Sequence, residues 1–291
     1  SPKAADLAIR DYEIALNNDL RIGVQNTMRD VLNEFEDSDY RNRIANIQSF
    51  KALNLKTNYR VLEMGNPLNT ARTSFLHKSI GGYHAAKIGR YQDLIEFQLA
   101  KQNMQVYNML NVKYFILPGD DGKEQAQQNP DVNGNAWFVK EIKYVQTANE
   151  EIKALDSLNT KEVAILRDHN SYGFEDSLKY NVDTLATIKL TEYSLNTLSY
   201  DSFSNQNEFA VFSEIYYKDG WNAYIDGELK PHLNVNYVLR GLEIPAGNHR
   251  IEFKFEPKVI QTGSTISLMS YVLLFLIPLG WFLYNKKKPT Q

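Results

Sequence analysis

Ile266-Ser-Leu-Met-Ser-Tyr-Val-Leu-Leu-Phe-Leu-Ile-Pro-Leu-Gly-Trp-Phe-Leu-Tyr284 is apolar apart from two serines, and residues 259–285 carry no charged side chain. About 20 helical residues rising 1.5 Å each cross the hydrocarbon layer of a bilayer, so residues 259–285 are expected to form a transmembrane helix. Lys286, Lys287 and Lys288 follow at once, and such clusters favour the cytoplasmic side. Residues 1–258 are therefore expected outside the cytoplasm, with 286–291 as a cytoplasmic tail. Trp281 and Tyr284 suit an interfacial belt, and Pro278 and Gly280 are tolerated in such helices. The competing reading is a core helix of a soluble domain; the length and the lack of charge argue against it.

The 291 residues can hold two modest domains besides that helix. A net charge of -3 supplies no basic field, so no nucleic-acid partner is expected. Without cysteine there are no disulfides, no thiolate catalysis and no cysteine-bound metal. The first residues, Ser1-Pro-Lys-Ala-Ala-Asp6, lack the positive-then-apolar pattern of a signal peptide. Together with the apolar helix, this leads to an expectation of either a removed leader or preceding transmembrane helices of the same protein.

Working back from the helix, residues 184–258 show a strand period. Thr187-Ile-Lys-Leu-Thr191 alternates; Phe209-Ala-Val-Phe-Ser-Glu-Ile-Tyr-Tyr217 is apolar enough for an inner strand. Asp226-Gly227 signals a tight hairpin, Val235, Tyr237 and Leu239 alternate again, and Ile251, Phe253 and Phe255 interleave with charges. Period two with one wet face predicts an antiparallel β-sandwich. Polar residues 168–183 read as a linker. Residues 51–167 alternate strands (59–64, 112–117, 136–139, 142–145, 162–166) with helices (83–97, 150–158), predicting a small α/β domain, with residues 125–134 as a polar loop. Residues 1–50 carry two short amphipathic stripes, at 5–16 and 27–35, expected to dock on that domain. The fold class is thus α+β: a small α/β domain, then a β-sandwich, then one C-terminal transmembrane helix.

No GxSxG elbow, P-loop, dinucleotide-binding glycine turn or HExxH helix is present. The five histidines show no metal spacing, so neither a metal site nor a cofactor is expected, and no catalytic residue is assigned. Two groups of residues stand out. His77, Lys78, Tyr83, His84, Lys87, Arg90 and Tyr91 place cations and histidines around Gly81-Gly82 and a helix start, a composition suited to phosphate, pyrophosphate or an anionic sugar. The same residues also fit a solvated helix face paired with Asp93 or Glu96, or an interdomain contact. Glu214, Tyr217, Trp221 and Arg240 combine aromatic faces with a carboxylate and a guanidinium, as sugar sites do. They also fit a sandwich core holding a buried Glu–Arg pair.

These segments resemble the C-terminal part of the YfhO family of bacterial membrane proteins, in its Bacteroidetes type. The resemblance runs through Tyr59-Arg-Val-Leu62, Ser74-Phe-Leu-His-Lys-Ser-Ile-Gly-Gly-Tyr-His-Ala-Ala-Lys-Ile-Gly-Arg-Tyr-Gln92, Met109-Leu-Asn-Val-Lys-Tyr-Phe-Ile116 and Gly134-Asn-Ala-Trp-Phe-Val139. It continues through Val211-Phe-Ser-Glu-Ile-Tyr-Tyr217, Gly220-Trp221, Ile225-Asp-Gly227, Asn236-Tyr-Val-Leu-Arg240 and Ile244-Pro-Ala-Gly-Asn-His-Arg-Ile-Glu-Phe253. Members are polytopic and similar to GT-C glycosyltransferases, which use polyprenyl-phosphate sugars. The resemblance implies an accessory region, in the bacterial inner (plasma) membrane, that positions a lipid-linked sugar or an envelope glycan acceptor. The catalytic carboxylate of such an enzyme would lie in an earlier part of the protein, so the fragment alone is not expected to catalyse transfer. A non-catalytic envelope module binding carbohydrate or protein is the alternative, and a self-contained enzyme would need two facing carboxylates in a cleft.

Overall fold

The computed structural model describes residues 58–65, 68, 73–74, 77–82, 86–118, 124–167 and 177–286. The helical segment expected over 1–50 and most of the lysine tail lie outside the described residues, as do Tyr83 and His84.

Strand β1 (Arg60–Glu63) runs parallel to β2 (Lys78–Ser79) on one side and to β3 (Val112–Pro118) on the other. Strand β4 (Glu124–Gln128) closes this sheet antiparallel to β3. It occupies part of the loop expected over 125–134. Glu-Gln-Ala-Gln-Gln has little apolar alternation, since this edge strand turns Ala126 to the Tyr59, Val61 and Ile116 cluster and pairs with β3 through its main chain. Helix α1 (Gly89–Leu94) continues into a π-helical turn (Ile95–Leu99), then α2 (Met104–Met109) is capped by the Asn103 side chain, which accepts from Gln105 N–H at 3.0 Å. Helix α1 starts later than the expected 83–97 span, and Ile88 just before it is extended and exposed.

Strands β5 (Ala136–Val139), β6 (Glu141–Val145) and β7 (Val163–Arg167) follow, with α3 (Ala148–Ala154) crossing between the parallel pair β6 and β7. Thr147 and Glu150 cap α3 reciprocally, each side chain bonding the other residue's backbone N–H. The remaining strands are β8 (Ser177–Lys179), β9 (Thr187–Tyr193), β10 (Thr197–Ser204), β11 (Glu208–Ile215) and β12 (Trp221–Ile225). After them come β13 (Glu228–Lys230), β14 (Leu233–Val235), β15 (Leu239–Ile244) and β16 (Gly247–Phe255). The chain then enters α4 (Lys258–Lys286), a single helix long and apolar enough to cross a membrane.

A five-stranded antiparallel sheet has the order β13-β12-β16-β10-β9, and a seven-stranded sheet has the order β5-β11-β15-β14-β7-β6-β8. The second sheet is the middle layer of the body, joining strands from both sides of residues 168–183. Strand β11 shows why its sequence is apolar at every position. Ala210 and Phe212 face the five-stranded sheet with Leu198, Tyr200, Ile251 and Phe253, whereas Phe209 and Val211 face the helical side with Val139, Ile165 and Leu239. A strand covered on both faces loses its period-two signal. The result is the α+β architecture: a small α/β part, a sandwich, and the terminal apolar helix.

Two local geometries shape the surroundings of the sandwich core. The alternation at 235–239 predicts one strand, but the chain breaks there, because Asn236 and Tyr237 are left-handed at φ 49° and 71°. The buried Asn236 side chain accepts from Ile165 N–H at 2.8 Å and its own N–H donates to Ile165 O at 2.9 Å, which pins the turn to β7. Gly220 lies against the rings of Phe255 and Tyr217; a Cβ there would overlap the Phe255 ring and come within 2.8 Å of Tyr217 Cδ1. Gly220→Ala is expected to cost about 1–2 kcal/mol through overpacking, read as a lower thermal midpoint of the full chain in detergent.

Candidate functional site

The end of the sandwich from which α4 departs gathers the ionisable residues of the inter-sheet space. Arg240, on β15, is 2% exposed; its guanidinium lies 4.3 Å from the Trp221 ring and 5.0 Å from the Phe253 ring. Its Nε donates to Ile215 O at 3.1 Å, while Nη1 is buried with no hydrogen-bond partner among the described residues. Burial lowers its pKa to about 10, with Glu214 acting in the opposite direction, so it stays charged at neutral pH. His232 lies tilted against the Tyr216 ring and edge to face with Phe253. Burial, with help from Arg240, holds it down to about 4, so it is neutral.

Glu214 does not take Arg240 as its ion-pair partner. It pairs with Arg60 at the start of β1, Nη2 to Oε2 at 3.3 Å, with the two side chains 13% and 14% exposed. The other end of the same guanidinium donates through Nη1 to Leu110 O at 2.7 Å and to Ser213 O at 2.9 Å. Arg60 thus clamps the parallel sheet to the sandwich. Lys78 on β2 stands in the same field: Nζ donates to Asn58 Oδ1 at 2.9 Å and lies over the Tyr193 ring. Burial lowers it to about 8; Glu214 pulls it up and Arg60 pushes it down. Three cations, Arg60, Lys78 and Arg240, therefore share one near carboxylate.

Beyond Arg60 opens a cavity of about 370 Å³, lined among others by Gly81, Gly82, Lys87, Tyr91 and Ile215. No described residue lining it is a carboxylate. Lys87 is exposed at its rim, and Tyr91 reaches across to donate to Ile80 O at 2.5 Å, so its hydroxyl holds the β2 end in place. A site of this kind, with backbone at two glycines, the exposed Lys87, the Glu214-paired Arg60, and an apolar wall of Ile80, Ile88, Ile95 and Ile215, suits an anionic group attached to something apolar.

Arg90 faces elsewhere. It donates through Nη2 to Glu151 Oε2 at 2.5 Å and lies 4.3 Å from the Tyr237 ring. Glu151 also accepts the Tyr237 N–H at 3.0 Å and lies 3.6 Å from Arg167, and the Tyr237 hydroxyl donates to Asp93 at 2.7 Å. This is a structural knot between α1, α3 and the Asn236–Tyr237 turn. His77 is buried. The seven residues grouped by sequence around Gly81-Gly82 are thus divided: Lys87 and Tyr91 at the cavity, Lys78 beside it, Arg90 in the knot, His77 in the interior, and Tyr83 and His84 outside the described residues. Arg60 was missed by sequence reading, although a lone cation opening the apolar strand Tyr59-Arg-Val-Leu62 was the available signal, since such a charge must find partners. Tyr217 is 42% exposed and stacks on Phe255 at 6.5 Å, and Trp221 lies 5.3 Å from the same ring. Among the described residues no group of three or more His, Asp or Glu is placed to hold a metal ion.

Residues 170–267 match the family described as bacterial membrane protein YfhO. That stretch contains strands β8 to β16 and the beginning of α4, and with them Glu214, Tyr217, Trp221 and Arg240; strands β5 to β7, Arg60, Lys87 and most of the cavity wall precede it. No curated protein and no solved structure matches the chain.

Proposed function

We propose that the chain is the extracytoplasmic, membrane-proximal region of a YfhO-like membrane protein, and that the Arg60–Lys87 cavity receives the phosphate of a lipid-linked sugar. The observation that carries this reading is the cavity itself, which combines cations, glycine backbone and an apolar wall close to the start of a membrane-type helix. The closeness is structural. Arg60 bonds Ser213 and Glu214, Ile215 accepts from Arg240, Arg240 packs on Trp221, and Trp221 packs on Phe255 just before α4. A phosphate carried on a polyprenyl chain stays near the membrane surface, where this series of contacts ends. The sugar transfer itself would belong to a GT-C-like half of the protein, with preceding transmembrane helices as partners, and the lysine-rich end of α4 would face the cytoplasm.

The test is binding of a polyprenyl-phosphate sugar to the full chain in nanodiscs, by microscale thermophoresis. Lys87 is exposed and makes no ion pair among the described residues, so Lys87→Glu should leave the fold intact. Affinity is expected to fall at least about tenfold, the equivalent of about 1.4 kcal/mol. Unchanged affinity in Lys87→Glu would refute the cavity as the phosphate site. The exposed face of Tyr217 favours a second reading, an envelope module that stacks glycan on this ring. Retained lipid-phosphate binding with lost glycan binding in Tyr217→Ala would separate the two.

A further inference from the structure

Strand β16 ends at Phe255 and α4 begins at Lys258, so only Glu256 and Pro257 separate sandwich from helix. The register shows which loops share that end. Thr197 pairs with Lys254, Trp221 pairs with Phe255, and Phe255 N–H donates to Asn196 O at 2.9 Å. The turn at 194–196 and the connection at 216–220 therefore lie beside the helix start. At the tip of that turn Leu195 is 94% exposed, and Tyr217 in the neighbouring connection is 42% exposed. Lys218 and Lys258 are exposed next to them. The junction is braced: Glu256 accepts from Asn222 Nδ2 at 2.9 Å and from the Tyr224 hydroxyl at 2.7 Å, and its N–H donates to Gly220 O at 2.7 Å.

We propose that Leu195 and Tyr217 form a docking edge that rests in the interface of the bilayer crossed by α4. Lys218 and Lys258 then face the lipid phosphates. Helix α4 has 29 residues, about 43 Å at 1.5 Å per residue, which matches a bilayer of about 40–45 Å counted with its headgroups. Lys258 thus stands at the outer headgroup limit. The tip of the 194–196 turn, level with Glu256, stands at the same height. An apolar side chain on a hairpin tip and a tyrosine ring are the residue types that partition into this zone. With Glu256 bracing the junction, contact at the edge would fix the orientation of the whole sandwich over the membrane, and with it the height of the Arg60 cavity. The inference rests on α4 crossing a bilayer, a premise that a separate label tests.

The chain has no cysteine, so single cysteines introduced into the full chain can carry an NBD fluorophore in phosphatidylethanolamine–phosphatidylglycerol vesicles. Leu195→Cys reports the docking edge, Leu185→Cys, 64% exposed at the opposite end of the sandwich, reports water, and Leu273→Cys reports α4. The label at 195 is expected to emit further to the blue than the label at 185. A lipid with a headgroup nitroxide should quench it several-fold more strongly, and iodide more weakly. The label at 273 should be quenched by acyl-chain nitroxides. If 273 responds to acyl-chain nitroxides while 195 behaves like 185, α4 crosses the bilayer and the docking edge is refuted. A label at 195 shielded from iodide yet untouched by nitroxide lipid also overturns the proposal, since a protein neighbour then covers the tip. Loss of lipid quenching at 273 removes the premise and the proposal together.

Discussion

Glu151→Ala is expected to destabilise the folded chain by about 3 kcal/mol, the scale of loss when one partner of a buried ion pair is deleted. Glu151 is fully buried and is the only carboxylate that the described structure sets against both Arg90 and Arg167. Burial pushes its carboxyl up, and Arg90, the Tyr237 N–H and Arg167 pull it back down. Removing it strands the Arg90 guanidinium, whose Nε already lacks a partner, and releases the N–H of Tyr237 in its left-handed conformation. The Asn236–Tyr237 turn then loses its bond to α3 and keeps those to Ile165 and, through the Tyr237 hydroxyl, to Asp93. Thermal denaturation of the full chain in detergent should show a midpoint lower by about 6–12 °C. Glu151→Gln, which can still accept from Tyr237, should lose clearly less. Equal midpoints for wild type and Glu151→Ala would mean that the knot contributes no net stability.

Phe212→Ala should have the largest effect, about 4 kcal/mol, as a fully buried aromatic is replaced by a cavity. Phe212 meets Tyr200 at 4.9 Å and Phe253 at 4.8 Å, both edge to face, and is fully buried between the two sheets. Such ring pairs contribute beyond their buried area, and these neighbours cannot close the gap without moving β10 and β16. Since β16 leads into α4, the near-ultraviolet circular dichroism of the aromatic cluster should weaken along with the thermal midpoint. Phe212→Leu, which refills much of the volume, should recover most of the loss. A loss below about 1 kcal/mol would place Phe212 outside the cooperative core.

The strands of the sandwich were legible because their outer faces are wet. Ile251, Phe253 and Phe255 alternate with charges in β16, and Asp226-Gly227 closes the hairpin with both residues left-handed, at φ 51° and 84°. Other elements were not legible, among them two strands and one break. Strand β4 is a polar edge that pairs with β3 through its backbone, so no side-chain period marks it. Strand β8 lies in a polar stretch and pairs with β6 through its backbone. The break at Asn236–Tyr237 hides inside a perfect alternation, because its cause is a buried hydrogen bond to a residue 71 positions away.

The candidate site divides in the same way. Residue types near Gly81-Gly82 pointed to an anion, and the glycines, Lys87 and Tyr91 do line one cavity. Their sequence neighbour Arg90 projects from the other side of the helix start into the Glu151 knot. Glu214, grouped with Arg240 by residue type, pairs instead with Arg60, which arrives from a strand more than 150 residues earlier.

Composition and local period were enough to specify the apolar helix α4, the sandwich strands and the absence of cysteine chemistry, because each of these is a property of neighbouring residues. Which cations meet which carboxylate, where the cavity opens, and that Leu195 and Tyr217 stand beside the helix start all depended on the folded arrangement. Strand register and sheet order bring together residues that no local pattern connects.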